Sequence, residues 1–176
     1  PTGELKTELQ SLVDNANAIL NAREAIDNLF DTEGTGLATG VAQQDIDNAK
    51  ELANKVAPGS VQDELLAKVV EAQSMMDAKK DAEGLLNDAQ DDLADGVDQN
   101  AITNAGNAVA DLVNGSYKDA LQSIVDKAQN ILDAITAVDD LYNDDKSDLV
   151  VGVTQDMIND AQKAVDKLDP NSDKAK

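Results

Sequence analysis

The chain has 176 residues, 41% of them hydrophobic but only 2% aromatic, and it contains no Cys, His or Trp. Its 35 acidic residues against 14 basic ones leave a net charge of −21, which repels phosphate backbones and anionic lipid and argues against nucleic-acid and membrane-surface partners. Thiolate nucleophiles, Ser-His-Asp relays, His-ligated metal and disulfides are excluded, and any core must be assembled from Ala, Leu, Val and Ile, which suits thin helix–helix seams.

One period organises the whole chain. Gly40, Gly96 and Gly152 are separated by 96 − 40 = 56 and 152 − 96 = 56 residues. The same interval relates Ile46/Ile102/Ile158, Ala49/Ala105/Ala161, Leu37/Leu93/Leu149, Leu9/Leu65/Leu121 and Val13/Val69/Val125. A fixed period of this length, with apolar columns and no insertion, is the signature of a tandem repeat architecture. The repeats are set at 1–58, 59–114 and 115–176.

In chain order, each repeat is expected to hold a long helix, a loop and a short helix. The first long helix is placed at about 4–31. An acidic, Gly-bearing loop over 31–42 follows, with Leu37 tucked inward as an anchor and Gly40 at positive φ. The first short helix is expected at about 43–57, presenting Ile46, Ala49, Ala53 and Val56 at steps of 3, 4 and 3. Ala42, Asp98 and Thr154 form its N-cap column, with Val41, Val97 and Val153 before it. Ile46, Ile102 and Ile158 stand four residues past the cap, the spacing of a hydrophobic staple.

The second long helix is expected at about 60–88, opening on Ser60 with Asp63 three residues on. Its stripe of Leu65, Val69, Ala72 and Met76 marks one helical face. A short helix at about 99–113, a long one at about 116–144 and a short one at about 155–168 complete the pattern. Short turns make neighbours antiparallel. The expected fold is therefore all-α: three-helix bundles that share long continuous helices, stacked as an elongated rod. Residues 23–78 and 79–134 form complete bundles, a third begins near 135, and residues 4–21 lack upstream partners. The competing expectation is a break in the long helices near Arg23, Lys79 and Ile135.

The acids invite a search for chemistry. Asp88, Asp91, Asp92 and Asp95 in the second loop, and Asp144, Asp145 and Asp148 in the third, offer hard oxygen ligands for calcium. They lack D-x-D-x-D-G spacing, and the aligned first-loop positions are Thr35 and Gly36. No catalytic, cofactor or metal residues are therefore assigned, and the chain is not expected to be an enzyme. Tyr142 shares a column with Phe30 and Leu86 and reads as core; Tyr117 reads as a half-exposed staple or rim residue. Met75 and Met76 fall in the Ile19-Leu20 and Ile131-Leu132 columns and read as packing.

The phrases Ala25-Ile26-Asp27-Asn28-Leu29-Phe30 and Ala137-Val138-Asp139-Asp140-Leu141-Tyr142, followed by Val153-Thr154-Gln155-Asp156-Met157-Ile158, resemble the helical module that follows the toxic core of insecticidal crystal proteins. They are also similar to tandem repeats of wall-anchored surface proteins of Gram-positive bacteria. The resemblance covers essentially the whole chain, once per repeat, and implies an extracellular helical spacer with no catalytic residues. On this reading the chain is a stalk segment of a secreted or wall-attached protein, and the alternative is a host-protein-binding module of adhesin type. The expected partners are neighbouring repeats and, for the alternative, a host protein; the chain itself is expected to be a monomer. No apolar run reaches the roughly 18 residues of a membrane span, and no signal peptide is visible. The abrupt start at Pro1 and the polar Lys174-Ala175-Lys176 ending read as those of an excised fragment.

Overall fold

A computed structural model describes residues 2–168 of the chain. These residues form six α-helices: α1 (Thr2–Asp27), α2 (Gln43–Asn54), α3 (Ser60–Glu83), α4 (Gln99–Ala110), α5 (Ser116–Asp139) and α6 (Gln155–Asp166). The only extended pairing among them is three isolated antiparallel bridges, Phe30 with Leu37, Leu86 with Leu93 and Tyr142 with Leu149. The protein is all-α, and long and short helices alternate as the repeat requires. None of the described helices is long and apolar enough to cross a membrane.

The long helices run unbroken through Arg23, Lys79 and Ile135. They stop at Asp27, Glu83 and Asp139, four or five residues before the ends expected from periodicity. Apolar spacing continues past these points through Leu29-Phe30, Leu85-Leu86 and Leu141-Tyr142. The backbone, however, tightens first into i→i−3 bonds, such as Leu29 N–H to Ile26 O and Phe30 N–H to Asp27 O. The chain then turns into the bridged loop, so the last two apolar residues stay in the core without belonging to the helix. The short helices end early in the same way. Lys55 N–H bonds Leu52 O and Val56 N–H bonds Ala53 O, which places Val56 in the core just beyond α2.

Caps fix where each short helix starts. Asp98 accepts from Ala101 N–H at 2.9 Å and Thr154 Oγ1 from Met157 N–H at 3.4 Å. Ala42 has no acceptor side chain; there Asp45 reaches back to accept from the Ala42 amide at 2.8 Å. One orphan amide is satisfied in each copy by a different residue.

The chain divides into two compact units, Pro1–Asp77 with Leu112–Lys118, and Ala78–Asp111 with Asp119–Lys176. The division falls within α3, between Asp77 and Ala78, so the two halves of this helix serve different cores. In the first unit α2 packs along α1, and the front of α3 closes the pair. Gln43 and Gln73 exchange amide hydrogen bonds at 2.6 and 3.0 Å, and Gln62 Nε2 donates to the Val56 carbonyl at 2.8 Å. In the second unit the same columns recur between α4 and α5, where Gln99 and Gln129 exchange bonds at 2.7 and 2.9 Å. Ala22, Ala49, Ala53 and Ala72 are fully buried, as are Ala78, Ala82 and Ala128. Small side chains at these positions suit the close seams that the composition implies.

The third copy is open. Ile46 and Ile102 are 1% and 2% exposed, whereas Ile158 in the same column is 38% exposed. Leu37 is buried as expected of an anchor, but Leu149 is 46% exposed and does not fill that role. Tyr142, expected in the core, is also exposed. The residues of α5 and α6 that face each other, Ala134, Leu141, Ala161 and Leu168, are buried. Those that would face a third helix are not. Ile46→Ala and Ile102→Ala are each expected to destabilise their bundle by about 2–5 kcal/mol, and Ile158→Ala by about 1 kcal/mol or less. Hydrogen exchange in the flanking helices measures these losses locally.

Candidate functional site

The three loops are the most elaborately built part of the surface, and their construction is common to all copies. Asp31, Asn87 and Asn143 occupy one column immediately after the bridged residue. Each donates its backbone N–H across the loop, to the carbonyls of Gly36, Asp92 and Asp148 at 2.9–3.0 Å. Each side-chain Oδ1 accepts loop amides: Glu33 and Thr35 on Asp31, Asp91 on Asn87, and Ser147 and Asp148 on Asn143. Short Asx side chains that accept from the backbone a few residues on hold such turns. The turn also needs a left-handed residue, filled by Gly34 at φ 71° but by Gln90 at 56° and Lys146 at 54°. The second glycine column, Gly40, Gly96 and Gly152, has φ of 86°, 79° and 99°, as its spacing suggested.

The acidic residues considered as calcium ligands are used mostly within their own loops. Asp91 Oδ1 accepts from Asn87 Nδ2 at 2.8 Å, and Asp92 and Asp148 accept from the amides of Leu93 and Leu149 at 2.8 Å. Asp145 takes the Ser147 hydroxyl and amide, which hold its carboxyl below the ordinary carboxylate value. That interaction therefore stabilises loop three above the usual carboxylate pKa and is lost as pH falls through the lowered one. Asp88, Asp95 and Asp144 are exposed. Among the described residues no three acidic side chains converge as a metal site.

The first loop differs from the others in what it touches. Gly36 lies against Tyr117 so closely that a Cβ there would stand 2.6 Å from Tyr117 Cγ, and a Cβ on Gly115 would stand 2.6 Å from Thr35 Oγ1. The turn between α4 and α5 thus seats on the first loop, backbone against side chain, through two glycines. Tyr117 is half-buried, and its hydroxyl donates to the Met75 carbonyl at 3.1 Å. It is a seam residue between repeats rather than a rim residue. Met75 is fully buried and serves as packing, as its column implies. Thr35 Oγ1 is buried here with no hydrogen-bond partner.

A groove of ≈ 810 Å³ opens beside this loop, between the end of α1 and the start of α3. Its floor is Ile26, Phe30, Val61 and Leu65, and its rim mixes Arg23 and Lys68 with acids. Lys68 Nζ is paired with Glu71 at 2.6 Å and lies 5.4 Å from the Phe30 ring centroid. The groove offers cations, carboxylates and an apolar floor, a set suited to contact rather than to bond-making.

Fold and loops together define a tandem helical-repeat module. A family model described as Pesticidal crystal protein Cry1Aa, domain IV, matches it three times, over residues 17–78, 74–134 and 129–176. The chain belongs to this family. The three matches begin at Asn17, Ser74 and Gln129, inside the long helices, and so follow the bundles rather than a count from the first residue. No match was found among curated proteins or among solved structures.

Two expectations follow for the loops. Gln90→Gly relieves a left-handed residue costing about 1–2 kcal/mol at the entropic expense of a glycine, and should raise stability by about 0.5–1 kcal/mol in urea unfolding. Gly34→Ala should lower it by a similar amount, since nothing lies within 4 Å of the added methyl and only the backbone resists. At the seam, Gly36→Ala should cost about 1–3 kcal/mol through overpacking. Replacing Tyr117 by Ser should recover part of that loss, so a double-mutant cycle will show coupling between the two positions.

Proposed function

We propose that this chain is a non-catalytic helical spacer within a larger secreted or wall-attached protein. The observation that carries the reading is which positions repeat. Core columns, loop-closing Asx residues and left-handed turn positions recur in every copy, while exposed side chains change. The aligned loop residues Thr35, Asp91 and Ser147, followed by Gly36, Asp92 and Asp148, illustrate the drift. A module kept for its packing and not for its surface is what a spacer requires. Membership of a crystal-protein domain family supports a role as one module among others in a longer polypeptide. The extracellular setting rests on the resemblance to wall-anchored repeats. A net charge of −21 keeps such a segment solvated and self-repelling.

A catalytic role is disfavoured by the chemistry of the chain's own groups. Without His or Cys, base and nucleophile must come from carboxylates, hydroxyls and lysines. The loop carboxylates with printed partners bond to backbone amides or to neighbouring side chains of the same loop.

Removal of one whole period, residues 60–115, should leave a folded protein with the same mean residue ellipticity, because Ser116 takes the place of Ser60 in register. Loss of helicity would count against interchangeable spacer units. Incubation of the chain with serum should capture no component saturably at micromolar concentration. Specific capture would replace the spacer reading with that of a host-binding module.

A further inference from the structure

The described chain carries two open apolar faces, and they have complementary form. The first lies on the front of α1. Leu9 is 53% exposed, but Leu65 and Leu121 in the same column are 7% and 4% exposed. Val13 is 54% exposed, against 4% and 6% for Val69 and Val125, and Ala16 is exposed where Ala72 and Ala128 are fully buried. Leu5 and Leu20 extend the stripe. In α3 and α5 this stripe closes a helix pair; in α1 it faces solvent.

The second face is the pair formed by the back of α5 and α6. Tyr142, Leu149, Met157 and Ile158 are exposed there. A groove of ≈ 210 Å³ lined by Ala134, Ile135, Val138, Val165 and Leu168 runs between the two helices. It is the acceptor half of a bundle, just as residues 4–21 are the donor half.

We propose that the two faces dock head to tail between copies of this chain, with residues 4–21 of one copy completing the 135–168 pair of another. Polar columns agree with this register. Lys118 Nζ donates to the Leu112 carbonyl at 3.0 Å beside a completed pair. One period earlier the donor column holds Lys6, and one period later the acceptor column holds Leu168. The amide exchange of Gln43 with Gln73, repeated by Gln99 with Gln129, maps onto Gln155 of one copy and Asn17 of the next. Because donor and acceptor are different surfaces, the contact is heterologous and adds copies without a built-in stop. This replaces the monomer expected from sequence, and it holds whether or not the spacer reading does.

Sedimentation of the whole chain over a concentration series at about 0.15 M salt, where charge is screened beyond roughly 8 Å, tests it. The weight-average mass should rise past twice the monomer. A donor-face variant, Leu9→Glu with Val13→Glu, and an acceptor-face variant, Leu149→Glu with Ile158→Glu, should each remain monomeric with unchanged helicity. All four positions are already exposed, so neither change burdens the folded monomer. Mixed together, the two variants should form a 1:1 complex and nothing larger, since each retains the face the other lacks. A chain that stays monomeric to near-millimolar concentration would overturn the proposal. So would a dimer that survives in either variant alone, or a mixture that forms no complex.

Discussion

Two antiparallel helices joined by a loop cannot bury both of their apolar stripes on each other; a groove remains, and a third helix must fill it. That constraint organises this protein. The α1–α2 pair is completed by the front of α3, and the back of α3 then starts the next pair with α4. A helix used in this way needs apolar residues along its whole length, but on different faces in its two halves. This explains why Leu65 and Val69 are buried in one unit while Ala78 and Ala82 are buried in the other. It also explains why the natural frame, seen in the family matches at 17–78, 74–134 and 129–176, cuts through long helices instead of falling at turns.

The seams between these helices are lined with alanine. Ala22, Ala49, Ala53, Ala72 and Ala128 leave no side-chain bulk to adjust, so the precision of packing is transferred to the ends of the helices. There the loops act as rigid brackets. An Asx side chain, a left-handed residue and a bridge between two apolar residues return the chain at a set angle, with Leu29, Leu85 and Leu141 held in the core just outside the helix. In the first unit the bracket is also a bearing surface: Tyr117 and Gly115 seat on Gly36 and Thr35. In the other two copies Asp stands where Gly36 does, so the same close approach is not available to them.

The amino-acid sequence by itself determined the helical class, the 56-residue period, the alternation of long and short helices, the N-cap column and the core columns. These follow from local periodicity and from residue types that act on their own backbone, and both are written along the chain. The Asx column Asp31/Asn87/Asn143 was legible in principle at the same spacing, but Asp and Asn in an acidic chain do not stand out. The left-handed column was hidden because Gln90 and Lys146 replace glycine there.

Only the tertiary structure decided where the long helices stop, because helical spacing runs on through Phe30, Leu86 and Tyr142 while cross-loop bonds end the helix. It alone separated three identical columns into buried and exposed members. Leu9 and Leu65, or Ile46 and Ile158, are the same residue in the same repeat position. What differs is whether a third helix lies across them, and that depends on contacts made by residues tens of positions away.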